Sequence, residues 1–202
     1  MDLSLQAKWN RTSRTYGLMT WGEEHRFASA KHELFAKMKG RCLMVAAGTG
    51  ADFRFFPPDL VITALDISPG MIERARGRAA DYRGALALQV MDVQELTFPD
   101  AFFDTVVTSC TLCSVPDPLR GLRELYRCLK PGGQLLMFEH VRSRVGPIAV
   151  LQDLMTLVSR RIGPDMNRDT VSNVLRAGFE LDRETNVYVD VVKAIQARRP
   201  AS

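Results

Sequence analysis

The stretch Cys42-Leu43-Met44-Val45-Ala46-Ala47-Gly48-Thr49-Gly50 decides the fold. Residues 42–46 are apolar without alternation, the pattern of a strand covered on both faces, and glycines end the run. Before it, Phe27, Ala30, Leu34, Phe35 and Met38 recur at helical spacing within residues 23–39, and Gly40 stops the pattern. After it the rhythm repeats. Residues 60–65 read as a strand, and Pro69 opens a helix reaching Asp81, with Ser68 placed to cap it. Residues 86–91 and 103–109 are the third and fourth strands. Residues 118–129 form a helix that Lys130-Pro131-Gly132-Gly133 closes, and residues 134–140 are a fifth strand.

Strands alternating with helices at this spacing pair in parallel through right-handed crossovers, giving an α/β, doubly wound sandwich. The last third departs from that rhythm. Residues 147–160 and 168–177 read as helices, Gly178 breaks the second, and residues 179–185 and 188–197 read as closing strands of a mostly parallel seven-stranded sheet. A chain of 202 residues fits one domain. Within 1–202 we expect an N-terminal lid and helix (1–40), a binding core (41–141), and a pocket cap with the closing strands (142–202).

Composition excludes several classes. Hydrophobic residues make up 46% and charged residues 25%, a globular balance. The apolar stretch 106–115 falls short of the ~20 residues of a membrane span. Met1-Asp2-Leu3-Ser4 lacks the blocks of a secretion signal, so a cytoplasmic location is expected, with room for peripheral contact at the inner face of a membrane. The four cysteines, 42, 110, 113 and 128, are expected reduced. Cys110-Thr111-Leu112-Cys113 has no matching second pair, so no metal site is expected. The net charge of +4 and pI of 9.0 fall short of a nucleic-acid-binding surface. The surplus sits at Lys8, Arg11 and Arg14, at Arg142 and Arg144, and at Arg160 and Arg161. It reads either as a solvated face or as a surface for something anionic.

In such sheets ligands bind beyond the carboxyl ends of the strands, so the loop after residues 42–46 is the first candidate site. Gly48 and Gly50 admit positive φ, flanking Thr49, and let backbone pass close under a ligand. A dinucleotide site wants a third glycine three residues on, where Phe53 stands. Asp52 in the following turn repels phosphate but tolerates a cationic ligand. Asp66 ends the second strand, where a carboxylate can accept both ribose hydroxyls; capping of the next helix is its ordinary alternative. Met71 is placed to pack on a base or to fill core, and Asp92 to accept an exocyclic amine or to make a turn.

Val45 to Gly50, Leu65-Asp66-Ile67-Ser68-Pro69-Gly70-Met71, Asp92-Val93, Phe98-Pro99-Asp100 through Asp104, and Leu129 to Gly133 together resemble the class I S-adenosylmethionine-dependent methyltransferases. The branch is that of ubiquinone/menaquinone C-methyltransferases and small bacterial phospholipid N-methyltransferases. The resemblance implies a Rossmann-like fold and S-adenosylmethionine as cofactor, held by Tyr16, Ala46, Gly48, Thr49, Gly50, Asp66, Ile67, Met71, Asp92, Val93 and Ser109. Leu112-Cys113-Ser114-Val115, Glu139-His140-Val141 and Gly178-Phe179 are more narrowly similar to membrane-associated thiol S-methyltransferases, whose amino-terminal anchor is not expected here. The chain departs from the family at Met44, where an acidic residue is usual, and at Ala46, where a glycine is usual. Asp52 is the candidate to compensate for Met44.

His140, at the end of the fifth strand, is the candidate proton acceptor, or a structural histidine. Tyr16 resembles the family tyrosine that folds over the cofactor, and is the second catalytic candidate. Trp9, Tyr16, Leu18, Met19, Trp21 and Phe27 among Lys8, Arg11, Arg14 and Arg26 suit a lid, with or without contact to an anionic bilayer. Residues 145–162, rich in Leu, Met and Val, are expected to wall the acceptor pocket, which favours a lipophilic acceptor. The leading expectation is N-methylation of a phosphatidylethanolamine headgroup. The alternatives are a thiol or quinone-type acceptor, a non-catalytic binder of the cofactor, and, from another class, an oxidoreductase.

Overall fold

The computed structural model describes residues 2–15, 22, 25–159 and 164–201. Its elements are α1 (Leu3–Thr12), α2 (Ala28–Phe35), β1 (Arg41–Val45), a 3-10 turn (Ala51–Phe55), β2 (Val61–Asp66), α3 (Pro69–Ala80), β3 (Ala85–Val90), β4 (Phe103–Ser109), α4 (Pro118–Cys128), β5 (Leu129–His140), α5 (Gly146–Ser159), α6 (Thr170–Arg176), β6 (Glu180–Tyr188) and β7 (Val192–Arg198). The sheet runs β3-β2-β1-β4-β5-β7-β6. Its first five strands pair in parallel; β7 lies antiparallel to β5 and β6. This is the expected doubly wound, mostly parallel seven-stranded architecture.

The central strands show why both faces must be covered. In β1, Leu43 and Val45 enter the core on one face while Cys42 and Met44 enter the core on the other. The same alternation places Leu135 and Met137 against the first core and Leu136 and Phe138 against the second. Helices α4 and α6 contribute Leu122, Leu125 and Val174 to the first, and α2 contributes Leu34 and Phe35 to the second. Since adjacent strands are parallel, all their loops carrying ligand chemistry fall at one edge.

Caps set the helix starts. Ser68 accepts from the Met71 amide with Pro69 in the first turn, and Asp117 and Asp169 cap α4 and α6 likewise. The Pro131-Gly132-Gly133 segment does not separate α4 from β5 as expected. β5 already begins at Leu129, paired with Phe103, and the register jumps to Thr105 opposite Gln134, so the turn is absorbed as a bulge.

The larger correction concerns α5. Its Leu, Met and Val residues do not face inward as a pocket wall. Val150, Leu151, Leu154, Met155 and Leu157 are each half or more exposed, while Ala149, Gln152 and Thr156 are the buried residues. The helix docks through polar chemistry: Gln152 accepts from the Ser143 amide and donates to the Val141 and Met166 carbonyls, and the Thr156 hydroxyl accepts from the Met166 amide.

Candidate active site

The loop after β1 turns sharply beneath a cavity lined from β1, β2 and the loops that follow β3 and β4. Ala46 has φ of 52° and Gly48 of 55°. The left-handed region costs an alanine roughly 1–2 kcal/mol, so Ala46 is held there by its surroundings. Gly50, at φ of 78°, is needed for packing: an added Cβ would stand 2.7 Å from the Phe53 ring and 3.3 Å from Ala75 Cα in α3.

Two carboxylates converge on the cavity. Asp66 is 6% exposed; one oxygen accepts from the Gly48 amide at 2.9 Å and the other from the Ser68 amide at 2.8 Å. Burial pushes its pKa up and these two amides oppose the shift. A carboxylate has about four acceptor positions, so each oxygen retains one for a further donor. Asp92, equally buried, accepts from the backbone and side-chain amides of Gln94 and, on its other oxygen, from the Asp2 amide at 3.2 Å. Val45, Leu65, Ile67, Met71, Met91 and Val93 form apolar walls between them, and Ser109, Cys110, Thr111 and Ser114 form the far side.

Helix α1 closes the cavity from above. Leu5 and Trp9 line it, Gln6 donates to the Ile67 carbonyl at 2.9 Å, and Asn10 accepts from the Gly70 amide at 2.8 Å. Gly70 permits this approach; a Cβ there would stand 2.5 Å from the Asn10 side-chain oxygen.

Glu139 organises the opposite wall. Fully buried, it accepts from the Thr108 hydroxyl at 2.7 Å, the Thr111 amide at 3.1 Å and the Leu112 amide at 3.2 Å. Burial drives its pKa up to about 7 against those donors and the nearby His140. The Cys113 thiol donates to the Cys110 carbonyl at 3.1 Å, and burial pushes its pKa up to about 11 against the opposing effect of His140.

Of the expected cofactor residues, Ala46, Gly48, Asp66, Ile67, Met71, Asp92, Val93 and Ser109 come together around the cavity. Thr49 and Gly50 are not among its lining residues. Thr49 turns its carbonyl to Arg78, and Gly50 packs on Phe53. His140 is not among them either, and sits half-buried beside Cys113. Tyr16, Leu18, Met19 and Trp21 lie outside the described residues. Asp52 does not serve in place of Met44: it is buried against Lys31 at 2.8 Å, and Met44 itself is core. Sequence reasoning missed Gln94 and Glu139; for Glu139 the available signal was the run Glu139-His140 at the end of a strand.

The Methyltransferase domain family matches residues 43–137. The thiol S-methyltransferase TMT1B of Rattus norvegicus is 30% identical over 198 residues, covering 88% of this chain and 80% of its own length. The chain belongs to the class I S-adenosylmethionine-dependent methyltransferases. This methyltransferase is also similar to the phosphatidylethanolamine N-methyltransferase of Cereibacter sphaeroides, at 32% identity over 61% of this chain and 62% of the relative. It is 37% identical to the ubiquinone/menaquinone biosynthesis C-methyltransferase UbiE of Geobacter sulfurreducens over 52% of this chain and 44% of that one. Among solved structures, the S-adenosylmethionine-dependent methyltransferase of Mesorhizobium loti superposes with a TM-score of 0.67 at 19% identity, over 86% of this chain and 98% of that one. The cyclase SpnF superposes at 0.69 and 20% identity, over 88% and 81%, so the fold alone does not fix the reaction.

The methyltransferase's cofactor is S-adenosylmethionine, and the residues present fit it. The spare acceptor positions of buried Asp66 suit a pair of hydroxyls, the apolar walls suit a flat base, and the absence of a third glycine and of a phosphate-binding cation in the lining suits a donor without phosphates. The methyltransferase acts on a small-molecule acceptor, and no helix among the described residues is long and apolar enough to cross a membrane.

Proposed function

We propose that this methyltransferase methylates a lipophilic or amphiphilic acceptor, foremost the amine of a phosphatidylethanolamine headgroup. The observation that carries this reading is the exposed aliphatic face of α5, in a segment tied to the cavity lining at Val115. The segment following α5 is bonded to the cavity wall, with the Asp165 amide donating to the Cys113 carbonyl at 2.7 Å and Arg168 to the Val115 carbonyl at 3.1 Å. Above it α5 presents aliphatic side chains to the outside. An acyl chain resting on that surface would bring its headgroup to the cavity.

In this reading Asp66 accepts the ribose hydroxyls, Ile67, Met71 and Val93 enclose the base, Asp92 accepts its exocyclic amine, and Ala46, Gly48 and Ser109 line the methionine end. Thr49 and Gly50 set the turn from behind. Bound S-adenosylmethionine supplies an electrophilic methyl carbon on a sulfonium. The protein's task is then alignment, holding the acceptor's lone pair within about 3–3.5 Å of that carbon and in line with the bond to sulfur. As the new N–C bond forms, the S–C pair stays on sulfur and the amine sheds a proton. His140 is the group proposed to take it, with Tyr16 folding over the site. His140→Ala is expected to lower kcat by roughly 10²-fold or more, with cofactor affinity retained. Unchanged kcat would make His140 structural.

A thiol acceptor is the second reading, favoured by the rat relative whose similarity spans 88% of this chain. The two separate in one assay with labelled S-adenosylmethionine and either phosphatidylethanolamine vesicles or a panel of hydrophobic thiols and quinols. Label in the phospholipid supports the first reading; label only in thiols or quinols overturns it.

A further inference from the structure

Helix α5 is amphipathic in the wrong sense for a helix of a protein interior. Its buried stripe is Ala149, Gln152 and Thr156; its outward stripe, on the opposite side, is Val150, Leu151, Leu154 and Leu157, with exposures between 55% and 65%. A monomeric protein in water gains nothing from this arrangement, because the aliphatic residues forgo burial while the polar ones occupy it.

The charge around the helix points to what covers it. Residues 2–15 and 142–168 together hold eight Lys and Arg against three Asp. The rest of the chain holds nineteen against twenty, so the net positive charge of the molecule resides in these two segments. They are neighbours in space: Lys8 of α1 feels the charge of Asp165, which follows α5. An apolar helix face on a segment that shares the chain's surplus of cations with α1 matches an anionic bilayer, which offers hydrocarbon beneath a layer of negative headgroups. A second copy of the chain would bring the same cations against each other.

We infer that the outward face of α5 is a docking surface for an anionic lipid bilayer, with Arg144 and the basic residues of α1 meeting the headgroups. Docking presses the cap against the membrane and turns the cavity mouth toward amphiphiles in the leaflet. The inference deepens the lipophilic-acceptor reading and rests on it for its purpose. Its test needs no acceptor.

The full chain is sedimented with phosphatidylcholine vesicles containing or lacking phosphatidylglycerol, at low and high salt, without S-adenosylmethionine. Binding is expected only with phosphatidylglycerol and is expected to weaken with salt. The pair Leu151→Ser and Leu154→Ser should weaken it tenfold or more, since withdrawing one Leu-sized side chain from hydrocarbon costs roughly a factor of ten. Arg144→Glu, on a residue 73% exposed in its side chain, should weaken binding to the anionic vesicles and serves as the second variant if the serine pair loses S-adenosylhomocysteine binding. No partition of the native chain, equal partition of all variants, or a dimer in light scattering that the serine pair dissolves would each overturn the inference. Vesicle binding without methylation of phosphatidylethanolamine would leave the docking surface standing and sink the acceptor reading instead.

Discussion

Ala46 stands where the family usually has glycine and adopts φ of 52° beside the cavity. Ala46→Gly should therefore stabilise the fold by up to about 1 kcal/mol, the relief of left-handed strain exceeding the entropy glycine adds to the unfolded chain. Thermal melting checks this, and an unchanged or lower Tm contradicts it. Glu139 gives a pH signature. Its pKa rises from 4.5 to about 7 in the fold, so between those values the native state binds more proton than the unfolded chain, and stability from this group falls as pH rises through that window. Glu139→Gln should remove that part of the slope in chemical denaturation between about pH 5 and 7. An identical slope in the variant would show that Glu139 does not titrate there. Asp66 and Asp92 were legible from sequence because one ends β2 and the other closely follows β3 at the binding edge. Glu139 was not, because its partners are amides of a loop twenty-seven and twenty-eight residues away.

At the scale of elements, strand and helix cores were readable from periodicity, and residues 103–109 match β4 throughout. Ends were less so wherever pairing overrode turn chemistry, as where β5 runs through Pro131-Gly132-Gly133. A helical N-terminal lid is what the sequence leads one to expect and α1 is helical, but its bounds were not legible, because its apolar residues, Leu3, Leu5 and Trp9, are sparse and its stability comes from docking on the β2–α3 corner. Gly70→Ala tests that docking. The added methyl meets the side-chain ends of Asn10 and Ser13, at 2.5 and 2.7 Å, so both must turn away and α1 loses its hydrogen bond from the Gly70 amide, which should loosen the helix. In a Trp21→Phe background the emission of Trp9, now 9% exposed, should shift to the red while β-sheet content is retained. Unshifted emission would mean that α1 holds by other contacts. For α5 the sequence showed apolar content but not direction, because Gln152 and Thr156 are polar residues satisfied inward.

For the molecule as a whole, the alternation of strand and helix was enough to specify the sheet and its binding edge, since parallel pairing leaves one arrangement of loops. The details that complete the site are long-range: α1 over the cavity, Lys31 neutralising Asp52, and the segment 164–168 bonded to Cys113 and Val115. None has a local pattern. The central claim is that the cavity between Asp66, Asp92 and α1 holds S-adenosylmethionine, and calorimetric titration with S-adenosylhomocysteine tests it most directly. The native chain should bind at one site, and Asp66→Asn, folded by circular dichroism, should bind roughly tenfold to a hundredfold more weakly through loss of a charged hydrogen bond worth about 1.5–3 kcal/mol. Equal affinity in the variant, or binding of NAD in place of S-adenosylhomocysteine by the native chain, would contradict it.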